Sequence, residues 1–89
     1  MKYKVIVHKR AARYLKSLPE SQRQRIKQSL RELEGGITGK VDVKSMAGEW
    51  KGYYRMRIGD DRVIFWIDHK LKTMYVDHIG SRGEIYKKK

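Results

Sequence analysis

The sequence predicts an α+β domain in which an N-terminal helical hairpin packs on one face of a mainly antiparallel, twisted sheet, in the order β-α-α-β-β-β. Three observations carry this expectation. A β-branched, alternating segment opens the chain, two stretches with helical apolar spacing follow it, and three strand-like segments separated by turn residues fill the second half. The 89 residues suit one domain, residues 1–89.

The first strand is expected at "KYKVIVH", Lys2–His8. In "KRAARYLKSL", Ala11, Tyr14, Leu15 and Leu18 recur at helical spacing. Pro19 ends that helix or opens the next, because its fixed φ suits a first helical turn. "ESQRQRIKQSLRELE" then lays Ile26, Leu30 and Leu33 on a narrow stripe, and Gly35-Gly36 stops it. Ile37–Trp50 is expected to be a loop, with a short turn around Ser45–Gly48. Three strands are expected after it, over Tyr53–Ile58, Arg62–Asp68 and Thr73–Ile79. "GDD" and "HKLK" supply the turns between them.

Charge narrows the function. Lys and Arg number 22 against 10 Asp and Glu, a formal net charge of +12, and residues 1–31 hold ten basic side chains against Glu20 alone. Such a chain attracts polyanions: nucleic acid, a ribonucleoprotein or an acidic protein. The alternative is a solvated basic surface that serves solubility. No segment combines a strong apolar face with a basic one, which argues against a membrane surface. With no cysteine, disulfides and Cys-ligated metals are excluded and a cytoplasmic location is the simplest expectation. No run approaches the roughly 18 apolar residues of a membrane span.

Pleat parity locates a candidate site. Side chains alternate faces along a strand, so Tyr54, Met56 and Ile58 share one face and Tyr53, Arg55 and Arg57 the other. In the next strand Val63, Phe65 and Ile67 oppose Arg62, Ile64 and Trp66. A two-residue loop drawn from Gly59, Asp60 and Asp61 joins the two apolar trios into one core face. A three-residue loop would push Arg62 into the core, where an unpaired charge is costly. The favoured register gathers Arg55, Arg57 and Arg62 on the opposite face, with Tyr53 and Trp66 beside them and Lys51 just before. Clustered like charges destabilise a sheet unless an anion lies among them, and arginine's fork suits phosphate oxygens. Alternatively, Asp60 and Asp61 neutralise the arginines locally, or the guanidinium groups reach into water.

Other chemistry is sparse. His8, His69 and His78 lack metal-ligand spacing, and His78 is expected to be structural. No Ser-His-Asp or Cys-His arrangement is visible. Gly80 and Gly83 bracket "SR" without forming a phosphate loop, and Lys87–Lys89 reads as a solvated tail. Catalysis, if present, would rest on arginines, lysines and tyrosines, with no metal or cofactor.

"YYRMRIGDDRVIFWID" with "VDHIGSRGEIY", preceded by "YKVIVHKRAARYLKSLPESQRQRIKQSLREL", resembles the RelE/ParE superfamily of toxins from type II toxin–antitoxin modules over nearly the whole chain. Five basic or tyrosine positions favour the RelE branch, whose members are ribosome-dependent, metal-independent mRNA endonucleases acting in the ribosomal A site. The resemblance implies catalytic roles for Arg55, Arg57, Arg62, Arg82 and Tyr86; Lys51, Tyr53 and Trp66, beside the arginines, are the substrate-binding candidates, the two rings able to stack on bases. Arg62 and Arg82 would clamp the scissile phosphate. Tyr86 would orient or deprotonate the 2′-hydroxyl, or stack on a base. Arg55 and Arg57 stand where some relatives carry lysine, which leaves the general acid unassigned.

The same resemblance implies a RelB-like antitoxin partner encoded nearby, and the ribosome with its mRNA as target. It implies contact with operator DNA only through the antitoxin complex, and no membrane. Arg13, Lys16, Arg23 and Lys27 on the helical hairpin would suit an acidic antitoxin segment, ribosomal RNA, or water alone. Two alternatives remain: a ParE-like inhibitor of DNA gyrase, and a non-enzymatic basic module that binds nucleic acid.

Overall fold

The computed structural model describes residues 2–39 and 41–81, and it forms two helices on one face of a five-stranded mixed sheet. The order along the chain is β1 (Lys4–Val7), α1 (Lys9–Lys16), α2 (Glu20–Leu33), β2 (Asp42–Ser45), β3 (Tyr54–Ile58), β4 (Asp61–Asp68) and β5 (Thr73–Ser81). Across the sheet the strands run β1-β5-β4-β3-β2. The β1–β5 pair is parallel and the other pairs are antiparallel; the helical hairpin carries the chain from β1 at one edge to β2 at the other, and the meander returns to β5 beside β1. The α+β expectation therefore holds, with one strand more than the sequence suggested.

That extra strand corrects the reading of Ile37–Trp50 as loop. Asp42–Ser45 pairs with β3, and a one-turn 3₁₀ helix at Gly48–Trp50 follows it. β2 is short and mostly exposed, an edge strand with charged residues, so it shows no apolar alternation. Boundaries also shift: β1 is trimmed to Lys4–Val7, β4 opens at Asp61 and β5 runs on to Ser81. Tyr53 precedes β3 rather than opening it, and Leu18 falls in the link between helices.

Local chemistry explains the helix ends. His8 caps α1, its Nδ1 accepting from the Arg10 amide at 3.1 Å. Pro19 stands at the N-cap of α2, and Gly36, with φ of 95°, closes its far end by donating to Leu33 O at 2.8 Å.

The core lies between the helices and the sheet. Ala11, Leu15, Ile26, Leu30 and Leu33 descend onto Met56, Val63, Phe65, Met74 and Val76, all buried. Each fully buried side chain of this size contributes roughly 1.5–3 kcal/mol. Among the described residues no helix is long and apolar enough to cross a membrane.

The β3–β4 hairpin has the two-residue loop that parity required. Ile58 faces Asp61 in register, leaving Gly59-Asp60 as the turn. Gly59 has φ of 60° while Asp60 does not take positive φ, the pattern of a type II′ turn with glycine first. A Cβ on Gly59 would also stand 2.7 Å from Arg25 Nη1, since α2 leans over the turn.

Candidate nucleic-acid interface

The sheet face away from the helices carries the predicted arginines, arranged in rows across the strands. One row runs Asp42, Arg57, Arg62, Gly80 from β2 to β5. The next runs Lys44, Arg55, Ile64, His78. A third, farther along, runs Trp66, Tyr75, Ile6 from β4 through β5 to β1. Two like-charge pairs thus sit directly opposite each other, Arg57 against Arg62 and Lys44 against Arg55. Each costs the bare sheet a few tenths to about 1 kcal/mol.

Arg62 is the most constrained of these cations. It is only 7% exposed, and its Nη1 donates to Gly59 O at 3.3 Å and Asp61 O at 3.2 Å. The hairpin turn therefore aims the guanidinium, and neither Nε nor Nη2 is bonded among the described residues. Arg57 beside it is exposed. Arg55 is half-buried, with Nε wholly buried and without a hydrogen-bond partner among the described residues. An orphaned buried donor of this kind costs about 1–3 kcal/mol.

Local neutralisation by the hairpin aspartates does not occur. Among the described residues no ion pair joins these arginines to Asp42, Asp60 or Asp61; the pair that forms is Arg23–Glu20, on α2. Asp61 points to the covered face, buried, and its Oδ1 accepts from the Tyr14 hydroxyl at 2.9 Å. That bond ties α1 to the hairpin and withdraws the nearest carboxylate from the arginine face.

The substrate-binding candidates are dispersed. Lys51 is exposed, just past the 3₁₀ turn. The Tyr53 hydroxyl donates to Asp77 Oδ2 at 3.0 Å, and Trp50 lies edge-on to both Tyr53 and His78 at 5.3 and 5.5 Å. Burial first, then the bond to Asp77, raises the Tyr53 phenol above its ordinary value, so it stays protonated near neutral pH. Trp66 stacks on Tyr75 with ring centroids 4.5 Å apart. It stands four residues from Arg62, roughly 13 Å along the strand, and so belongs to the far end of the face.

Arg82 and Tyr86 lie outside the described residues; β5 ends at Ser81, opposite Asp61 and next to the Arg62 row. Parity reasoning missed Lys44, because β2 was not expected. It also missed Asp77, the extra residue where β5 shifts register against β4 between Ile64 and Phe65. Among the described residues no group of three or more His, Asp or Glu is placed to hold a metal ion.

Comparison with solved structures bears on the origin of this arrangement. No protein-family model and no curated protein matches the chain. The RelE–RelB complex of Pyrococcus horikoshii OT3 contains a chain 32% identical, with a TM-score of 0.80, matched over 94% of this chain and 99% of that one. The RelB–RelE antitoxin–toxin complex of Methanococcus jannaschii follows at 26% identity and TM-score 0.75, over 92% and 95%. The RelBE2 toxin–antitoxin complex of Mycobacterium tuberculosis shares the fold, at 22% identity and TM-score 0.80, over 92% and 100%. With that identity over nearly the full length of both chains, and the same helices on the same sheet, the chain belongs to the RelE family of toxins.

Proposed function

We propose that this chain is the toxin of a type II toxin–antitoxin module and that it cleaves mRNA in the ribosomal A site, inhibiting translation. The observation that carries the reading is Arg62: a nearly buried cation with no carboxylate partner among the described residues, facing Arg57 in register across the hairpin. A buried unpaired charge is costly unless its ligand supplies the counter-charge, and a phosphodiester does so.

The chemistry follows from the donors present. The 2′-oxygen of the substrate ribose attacks the adjacent phosphorus, the bond to the 5′-oxygen breaks, and a cyclic phosphate forms. One proton leaves the 2′-hydroxyl and another reaches the departing 5′-oxygen. Arg62, held by the turn carbonyls, and Arg57 stabilise the charge on the phosphorane oxygens. Arg55 lies one row farther out and helps to hold the strand. Arg82 and Tyr86 follow the end of β5 in sequence and are assigned the second clamp and the 2′-hydroxyl contact. Tyr53, whose one hydroxyl proton is donated to Asp77, is not the base.

The antitoxin is the second partner. A groove of about 260 Å³ beside β1 and α2 is floored by Val5, Val7, Leu15 and Leu30 and edged by Lys27, Arg31 and Glu34, two cations against one carboxylate. An amphipathic acidic segment fits that combination. Arg23 is less available, since it is engaged by Glu20 at 2.7 Å and by Leu18 O at 2.8 Å.

The test is induction of the chain alone, with mRNA 5′ ends mapped in extracts with and without ribosomes. Cuts at ribosome-positioned codons, lost in a folded Arg82→Ala variant, are expected. Uncut transcripts accompanied by gyrase-dependent DNA breaks would establish the ParE-like alternative instead. Intact transcripts and intact DNA would leave the non-enzymatic module.

A further inference from the structure

The second like-charge pair is Lys44 against Arg55; the chemistry just described uses Arg55 only to help hold the strand and leaves Lys44 without a part. The pair lines an open cavity of about 480 Å³ at the β2 edge, together with Ser45, Met46 and Ala47. Lys44 is exposed and lies directly opposite Arg55 on the same sheet face. Arg55 also carries a buried Nε that has no hydrogen-bond partner among the described residues. Arg55 and Arg57 are two residues apart on β3, so the two cation rows lie roughly 7 Å apart along the strand. That step is comparable to the step between consecutive phosphates of an extended single strand.

We infer that Lys44 and Arg55 form a second phosphate site, which holds the RNA linkage next to the scissile one and so sets which phosphate reaches Arg62. The inference rests on the proposed RNA substrate and extends it. A point charge on a flexible stem and a half-buried guanidinium together suit a phosphate that must be held but not transformed. The cavity leaves room for the ribose, and the absence of a carboxylate among its lining residues leaves the counter-charge to the ligand.

The experiment couples one protein change to one RNA change. Single-turnover cleavage on programmed ribosomes is measured with mRNA carrying one neutral methylphosphonate, placed in turn at each linkage flanking the cut. At one of these positions the wild-type rate should fall roughly tenfold, the size of a lost charge-assisted contact. Lys44→Ala should impose a similar penalty on unmodified RNA, and Lys44→Arg should restore the rate. The two penalties together should scarcely exceed either alone. Penalties that multiply at both flanking positions would overturn the inference. If the wild-type chain cuts nothing, the cleavage reading fails by itself. The same coupling is then read in the binding of free single-stranded oligonucleotides with the same modifications. Non-additive losses there support the second phosphate site, and multiplied losses overturn it. Lys44 is exposed on an edge strand, so its substitution leaves folding intact, as circular dichroism will confirm.

Discussion

The two faces of the sheet use the same strands and the same alternation, yet they obey opposite rules. On the covered face Met56, Val63, Phe65 and Val76 are wholly buried, and the one carboxylate there, Asp61, is bonded to Tyr14. On the open face cations oppose cations in two neighbouring rows, and a buried nitrogen of Arg55 goes unpaired among the described residues. One face is satisfied by the protein itself. The other presents cations for which the described residues supply no ion-pair partner, so the forces that hold the fold together do not account for it.

The largest test of that contrast removes Phe65. Phe65→Ala should cost about 3–5 kcal/mol in urea denaturation, through lost burial and the cavity left behind. Activity would vanish only because the folded fraction falls. Arg62→Gln should invert the pattern. Cleavage on ribosomes should drop by about 10²–10³, as when a preorganised oxyanion donor is lost. Stability should move by no more than about 1 kcal/mol, since the lost carbonyl bonds are offset by relief of the contact with Arg57. A large stability loss with intact cleavage would mean that Arg62 is structural and the contrast between faces is wrong.

Much of this contrast was legible in the sequence, because the pleat has a period of two. Once Tyr54, Met56 and Ile58 were matched with Val63, Phe65 and Ile67, the arginines had one face left to occupy. Depth was not legible. Parity assigns Arg62 to a face, but its burial depends on turn carbonyls and on neighbours across the sheet. β2 was hidden because "DVKS" is short, charged and paired on one side only, so its pattern resembles loop. Lys44 was hidden with it. The Tyr53–Asp77 bond escaped for a different reason: it spans 24 positions and depends on a register shift in β5 that no local pattern encodes.

The seam between the faces offers an intermediate test. Tyr14→Phe leaves the Asp61 carboxylate buried without that donor, at a cost of about 1–3 kcal/mol in urea denaturation. Asp61 sits at the start of β4, next to the arginine that the turn aims, so the bond also bears on how firmly the hairpin is held. If it matters for anchoring alone, cleavage by the folded Tyr14→Phe protein should stay within a few-fold of wild type. A loss as deep as that of Arg62→Gln would show that α1 helps to position the arginine through the turn.

The smallest effect is the most diagnostic, because its sign is unusual. Most substitutions destabilise, yet Arg57 is exposed, lacks an ion-pair partner among the described residues and faces another cation in register. Arg57→Ala removes a repulsion and no packed surface. Its expected effect is a gain of about 0.2–1 kcal/mol, the range for a like-charge cross-strand contact, read as a higher urea midpoint with an unchanged slope. Raising the salt concentration should shrink the gain, because screening already weakens the repulsion in the wild-type chain. Cleavage should fall in the same protein. Stability rising while activity falls is the signature of a residue kept at a cost for its ligand. If Arg57→Ala instead lowers stability at every salt concentration, the open face is held together by contacts of its own, and its arginines need no phosphate to explain them.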